Sequence, residues 1–260
     1  MTGYAQLPPR LASAYGAAGD KYGNRERLDA ILTVLVGRDL GQITDIGGNA
    51  GYFSLSLVDA GVARGAVVYE VSPAAIAIGR DLAARMNLAD RVRFVECAAD
   101  LDFVRRLPVS GTIICLNLLH HAGHRFDIDL VAQRGWEPYA QDWLAAMRGK
   151  CVHAIFGIGF ENTKPKHWQA EQARRPAALA KIIQASGWSI LYDANVSDIR
   201  RLGVEAANGR FTSGGERLQA EPEPSVIDLL RKKASRLTGL NLRRPGTFDK
   251  LSRYHIYILQ

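Results

Sequence analysis

The stretch Asp45-Ile46-Gly47-Gly48-Asn49-Ala50-Gly51-Tyr52-Phe53 gathers an acid, three glycines and an asparagine into nine residues. A turn this rich in glycine tolerates positive φ and leaves room for a ligand against the backbone. Asn49 suits it as well, because asparagine is the non-glycine residue most at ease in a left-handed conformation. A dinucleotide fingerprint, G-x-G-x-x-G, would need glycine at positions 46, 48 and 51; position 46 is Ile, which disfavours a nicotinamide cofactor. Glu70 follows Asp45 by 25 residues and closes the apolar run Val67-Val68-Tyr69. A carboxylate at a strand end of this kind can accept hydrogen bonds from both hydroxyls of an adenosine ribose, which would leave Val71 against the adenine.

Asn117-Leu118-Leu119-His120-His121 closes another apolar run. Imidazole titrates near neutral pH, so His120 or His121 suits a general base; the alternative for each is a helix cap or a core histidine. Glu161, in Gly157-Ile158-Gly159-Phe160-Glu161, is a second candidate to bind or deprotonate a substrate, or else a solvated loop residue. In Cys97-Ala98-Ala99-Asp100, which follows a further apolar run, Asp100 suits a helix N-cap. Arg27 could clamp a carboxylate bidentately, the alternative being an exposed arginine on a helix. His120, His121, His124, Asp127 and Asp129 lie close in sequence but lack an H-E-x-x-H or comparable ligand spacing, so no metal is expected.

The elements that must position these groups can be read from the pattern of apolar residues. Runs over Gln42–Ile46, Ala66–Glu70, Arg91–Glu96, Thr112–Leu116 and Val152–Ile158 alternate with helical spacing over Tyr52–Ala60, Pro73–Met86 and Glu137–Met147. That alternation predicts βαβ units feeding a parallel sheet. A helix over Ala177–Ala185 and strands over Ser189–Asp193 and Tyr254–Leu259 complete the expected fold: an α/β, Rossmann-like, seven-stranded, mostly parallel sheet with helices on both faces. Arg25–Val36 reads as an amphipathic helix beside the cleft, with Leu28, Ile31, Leu32 and Leu35 on one face. From Asp198 to Lys250 runs a long segment rich in Gly, Pro and charge, in which Lys and Arg outnumber Asp and Glu. Long connections of this kind are commonly lids or binding loops. It is expected to be a lid on the substrate side, with a helix over Ser225–Leu237.

At 260 residues and 47% hydrophobic content the chain can bury a full core. The net charge of +7 and pI near 9.4 invite an anionic partner. Cys97, Cys115 and Cys151 stand alone, with no C-x-x-C pair, as in a reduced compartment. Residues Met1 to Arg10 lack a charged stretch followed by an apolar one, and no run is long and apolar enough to span a membrane. A cytoplasmic location is expected.

The order acid, x, Gly, three residues, Gly resembles motif I of class I S-adenosylmethionine-dependent methyltransferases, commonly acidic-x-G-x-G-x-G, with Asn49 in place of the middle glycine. Leu118-Leu119-His120-His121 resembles the S-V-L-H-H pattern of many small-molecule methyltransferases. Three stretches, Arg27-Leu28-Asp29, Gly51 through Leu57, and Leu118 through His121, are more narrowly similar to the methyltransferase domain of bacterial O-antigen chain-terminating kinase–methyltransferases. Glu161 followed by Lys166-His167-Trp168 adds a weaker similarity. The kinase half has no counterpart here, and neither does the basic insertion in that family.

The resemblance implies S-adenosylmethionine as cofactor and S-adenosylhomocysteine as product. Asp45, Gly47, Gly48, Asn49, Gly51, Phe53, Glu70, Val71, Ala99 or Asp100, and Asn117 would then hold the cofactor, Arg27 its methionine carboxylate. With the apolar pattern, this divides the chain into residues 1–40 as a helical segment flanking the cleft, 41–197 as the expected cofactor-binding core, 198–250 as the basic insertion or lid, and 251–260 as the last strand. The expected reaction is O-methylation of a small molecule, sugar or glycan; Arg231, Lys232, Lys233, Arg236, Arg243 and Arg244 could attract an anionic acceptor, the alternative for them being a solvated helix face. A nucleic-acid methyltransferase or RNA-binding module is the alternative. It is weakened by Asn117-Leu118-Leu119-His120 standing where base-amino methylation uses [DNS]-P-P-[YF], and by the lack of an aromatic-studded basic strand. A catalytically silent scaffold is the third reading, which an intact Asp45, Gly47, Gly51 and Glu70 oppose.

Overall fold

The computed structural model describes residues 7–11, 23–159, 176–208 and 254–260. Glu161, the Lys166-His167-Trp168 stretch, the helix expected over Ser225–Leu237 and the basic residues from Arg231 to Arg244 lie outside the described residues.

Seven strands form one sheet: β1 (Gln42–Ile46), β2 (Gly65–Glu70), β3 (Val92–Glu96), β4 (Thr112–Leu116), β5 (His153–Gly159), β6 (Ile190–Asn195) and β7 (Tyr254–Leu259). Their spatial order is β3-β2-β1-β4-β5-β7-β6. The pairings among β1 to β5 are parallel, and β7 runs antiparallel between β5 and β6. The order reverses between β1 and β4, and such a switch point opens a crevice at the carboxyl ends of the strands.

The strands hold because their side chains alternate between two apolar layers. In β7, Ile256 and Ile258 join one core cluster while Tyr257 and Leu259 join the other. In β4, Ile113 and Cys115 face one way and Ile114 the other. The first layer is filled by α1 (Asn24–Val34), α2 (Tyr52–Asp59) and α3 (Pro73–Arg85), through residues such as Ile31, Leu55 and Ile76. The second is filled by α4 (Leu101–Arg106), α5 (Ile128–Arg134), α6 (Trp136–Arg148) and α7 (Pro176–Ala185), through Val104, Val131, Trp143 and Ile183. Both sheet faces are thereby covered, as a mostly parallel sheet requires.

The structure bears out the expected fold class. It adds helices the apolar pattern did not show. Two of them, α8 (Val196–Leu202) and α9 (Val204–Ala207), follow β6 and pack against α1. Asn195 caps α8, its side chain accepting the Ser197 N–H at 2.8 Å, and Gly203 ends it at φ 85°. An ion pair between Arg200 and Glu26 ties α8 to α1.

Candidate active site

The turn after β1 is fixed to the end of β2 from several directions. The Tyr69 carbonyl accepts the N–H of Gly47 at 2.8 Å and of Gly48 at 3.3 Å, and the Gly48 carbonyl accepts the Gly51 N–H at 2.8 Å. Asn49 adopts φ 52°, the left-handed conformation expected of it, and Gly51 adopts φ 76° at the head of α2. At Gly51 a Cβ would also stand 2.8 Å from the Phe94 ring, so conformation and space both require glycine. Gly48 is needed for space: a Cβ there would lie 2.6 Å from both Asp45 Cγ and Val68 Cγ1. The turn thus lies flat on the sheet edge and leaves a backbone-lined hollow above it.

Glu70 locks this arrangement. One carboxylate oxygen accepts the Asn49 N–H at 2.9 Å, and the other accepts the Val71 and Ser72 N–H groups at 3.0 and 2.9 Å. Asp45 sits beneath the turn, buried, its carboxylate accepting the Ser54 hydroxyl at 2.7 Å. Burial, opposed by the Ser54 hydrogen bond and reinforced by the nearby Glu70 charge, pushes its carboxyl up to about 7.

This has a consequence for stability. An unfolded aspartate titrates near its ordinary value, whereas Asp45 in the ligand-free fold holds its proton until about pH 7. The proton therefore favours the fold most below pH ~4, and that contribution is lost as pH rises through 7. Denaturant melts of wild type and Asp45→Asn across pH 4–8 should show their stability difference drifting by on the order of 1 kcal/mol per pH unit up to about pH 7, with wild type losing ground as pH rises, and levelling off above it. A pH-independent difference would show that Asp45 is ionised throughout.

These groups border a cleft of about 750 Å³ at the carboxyl ends of β1, β2, β4 and β5. Of the residues expected from sequence, Arg27, Asp45, Gly47, Gly48, Asn49, Phe53, Glu70, Val71, Ala99, Asn117, His120 and His121 all line it. Two do not. Gly51 stands behind the turn against Phe94. Asp100 is the N-cap of α4, accepting the Phe103 N–H at 2.6 Å, so of the two readings open for it the capping one holds.

Arg27 departs from its surface alternative. It is 1% exposed, although it belongs to an otherwise amphipathic helix. Its guanidinium lies between the Phe53 and Tyr254 rings, 5.5 and 5.4 Å from their centroids, and its Nε donates to the Gly23 carbonyl at 3.4 Å. Stacking on two aromatic faces presents a cation at the cleft wall without requiring a neighbouring carboxylate.

Asn117 sits at φ 58° just past β4, its N–H donating to the Gly157 carbonyl at 2.8 Å. Its side-chain oxygen is buried and has no hydrogen-bond partner among the described residues. His120 and His121 follow in a turn of 3-10 helix (Leu119–His121), their ring centroids 4.1 Å apart. Gly159 ends β5 beside them; a Cβ there would meet Tyr254 Cε1 at 3.6 Å and His120 Cε1 at 3.7 Å, so glycine leaves an open gap between the two rings.

Among the described residues, no group of three or more His, Cys, Asp or Glu is gathered to hold a metal ion. Asp127 is committed elsewhere: its carboxylate accepts the Leu101 N–H at 2.8 Å and the Tyr139 hydroxyl at 2.6 Å. Also lining the cleft, and not anticipated from sequence, are Asn24, Tyr52, Tyr69, Arg125, Phe126 and Tyr254. Tyr254 had a signal that could have found it. If the last strand is antiparallel, its first residue lies at the carboxyl end of the parallel strands, and Tyr254 indeed pairs with Gly159.

No family model matches the chain, and no curated protein matches it in sequence. Among solved structures, it is similar to an S-adenosylmethionine-dependent methyltransferase from Geobacter sulfurreducens in complex with S-adenosyl-L-homocysteine, at 14% identity and TM-score 0.51, covering 98% of this chain and 99% of that one. It also resembles the bifunctional kinase-methyltransferase WbdD at 20% identity and TM-score 0.48, over 73% of this chain; the match spans 39% of the length of that protein. A third is a TehB-like S-adenosylmethionine-dependent methyltransferase from Corynebacterium glutamicum, at 10% identity and TM-score 0.47, covering 96% and 92% of the two chains. Such identities speak to fold, and over nearly its whole length the chain shares the fold of the Geobacter methyltransferase.

Proposed function

We propose that this chain is an S-adenosylmethionine-dependent methyltransferase acting on an oxygen of a small molecule, sugar or glycan. One observation carries the reading. Glycine turn, strand-end Glu70, buried Arg27 and the unpartnered Asn117 oxygen border a single cleft at the switch point of the sheet. Each matches a different part of the cofactor. The hollow over Gly48 accepts a ligand laid against backbone; Glu70 suits the ribose hydroxyls, and Val71 and Ala99 offer apolar surface to the adenine. The cation of Arg27 suits the methionine carboxylate, and the Asn117 oxygen suits its ammonium group. A cleft of about 750 Å³ is ample for a cofactor of this size.

Bound there, S-adenosylmethionine would supply a methyl group activated on a sulfonium. The protein's own part is to hold the acceptor in line and take up its proton. His120 and His121 are the groups in reach of that task. His120 borders the gap over Gly159 opposite Tyr254, an opening through which an acceptor hydroxyl can approach. Glu161 follows Gly159 in sequence and remains a candidate to bind or deprotonate the acceptor. The three cysteines are free thiols, and no helix among the described residues is long and apolar enough to cross a membrane. Both agree with biosynthesis in the cytoplasm.

The test is transfer of a labelled methyl group from S-adenosylmethionine into fractionated cell extract. Label in a glycan, lipid-linked sugar or small-molecule fraction is the expected result; label confined to RNA would replace this reading by the nucleic-acid one. With the acceptor in hand, substitution of the base among His120→Ala and His121→Ala should lower kcat by roughly 100-fold or more, while S-adenosylhomocysteine affinity changes little. Full turnover in both variants would remove the histidines from the proton path.

A further inference from the structure

Arg125 is a cation in the cleft that the cofactor reading leaves unused. It lines the same cavity as His120 and His121, it is exposed, and among the described residues its side chain makes neither an ion pair nor a hydrogen bond. The two carboxylates that line the cleft among the described residues are both engaged, Asp45 by Ser54 and Glu70 by three backbone N–H groups. Arg27 is held between its two rings. Among the described residues, Arg125 is the strongly basic group presented to solvent there.

The backbone that carries it is firmly placed. The Arg125 N–H donates to the His121 carbonyl at 2.9 Å, closing a tight five-residue turn, and both side chains line the cleft. Gly123, at φ 79°, donates to the Phe126 carbonyl at 2.9 Å. The Phe126 ring packs 5.6 Å from that of Trp143, and Asp127 pins the end of the turn to Leu101 and Tyr139. A guanidinium on a fixed turn beside a binding cleft is preorganised for a planar oxyanion.

We propose that Arg125, with His121 of the same turn, binds an anionic group carried by the methyl acceptor, a phosphate or a carboxylate. The assignment rests on the methyltransferase reading of the cleft. It would restrict the acceptors to molecules bearing an oxyanion near the methylated position, and neutral sugars or alcohols would be poor substrates.

The test uses inorganic pyrophosphate and succinate as probes, titrated calorimetrically into the full chain saturated with S-adenosylhomocysteine, so that the cofactor carboxylate already occupies its own place. Binding of either probe by wild type, weakened roughly tenfold or more in Arg125→Gln and partly kept in Arg125→Lys, is the expected result. Preference for pyrophosphate or for succinate then names the source of the oxyanion. S-adenosylhomocysteine affinity should stay within about threefold of wild type in both variants, against the tenfold change that a lost charge-assisted contact produces. Equal probe binding in Arg125→Gln, or no probe binding by wild type, overturns the proposal. So does a loss of S-adenosylhomocysteine affinity in Arg125→Gln, which would assign the arginine to the cofactor. If wild type binds no S-adenosylhomocysteine, the methyltransferase reading falls by itself, and the same titration on the ligand-free chain still decides whether Arg125 holds an anion.

Discussion

Glu70→Ala should weaken S-adenosylhomocysteine binding by roughly 100-fold, because one carboxylate is asked to do two things. It closes the turn by accepting the N–H groups of Asn49, Val71 and Ser72. In the proposed binding mode it also accepts the ribose hydroxyls. A carboxylate offers about four acceptor sites, so the three backbone bonds leave capacity for a hydroxyl. Alanine removes the ribose contact and leaves the Asn49 N–H without its acceptor, so the loss combines a missing contact with a loosened turn. Glu70→Gln is the milder change: its amide oxygen can keep the backbone contacts on one side while its amide nitrogen cannot accept those on the other, and the charge that strengthens a bond from a hydroxyl is lost. Calorimetry should therefore place Glu70→Gln between wild type and Glu70→Ala. An unchanged dissociation constant in Glu70→Ala would remove the ribose assignment.

The second large effect is expected from a single added carbon. In Gly48→Ala the new Cβ would stand 2.6 Å from Asp45 Cγ and from Val68 Cγ1, and 2.7 Å from an Asp45 carboxylate oxygen. None of these can retreat easily. Val68 is a fully buried residue of β2, and Asp45 is held by Ser54 under the turn. The turn must rise from the sheet edge, breaking the hydrogen bonds of Gly47 and Gly48 to the Tyr69 carbonyl. Overpacking of this kind costs about 1–3 kcal/mol of stability, which a 260-residue chain can survive while its ligand hollow does not. Gly48→Ala should keep the secondary-structure signal of wild type in circular dichroism, melt at lower denaturant and show no measurable S-adenosylhomocysteine binding. Wild-type affinity in a folded Gly48→Ala would mean that the ligand does not rest on this turn.

The core strands were legible because each is a short β-branched run closed by a turn residue or a cleft residue, and their observed bounds fall within two residues of expectation. The glycine turn was legible to the level of Asn49, whose left-handed conformation follows from its own chemistry. The short helices were not. In α5 only Val131 is buried, so no 3.6-residue period can show, and α8 is announced by its Asn195 cap and Gly203 stop more than by its apolar residues.

Arg27 shows a different limit. Its neighbours Leu28, Ala30 and Ile31 mark the buried face, yet nothing local says that a guanidinium shares it. Burial depends on two rings that come from residues 53 and 254, joined only by the fold. The same holds for Arg125 and Phe126, which reach the cleft because a loop folds back onto α4 and α6 through Asp127. Positions at strand ends could be named from sequence; the burial of Arg27 between two distant rings and the placement of Arg125 and Phe126 could not.

The central claim is that the cleft above Gly48 receives S-adenosylmethionine, and titration of the wild-type chain with S-adenosylhomocysteine by isothermal calorimetry tests it most directly. The account predicts saturable binding at one site per chain, with a dissociation constant in the micromolar range, on the order of −8 kcal/mol, and a matching rise in thermal stability. Absence of heat and of any stabilisation at millimolar S-adenosylhomocysteine would contradict it, leaving the methyltransferase fold without the methyltransferase cofactor.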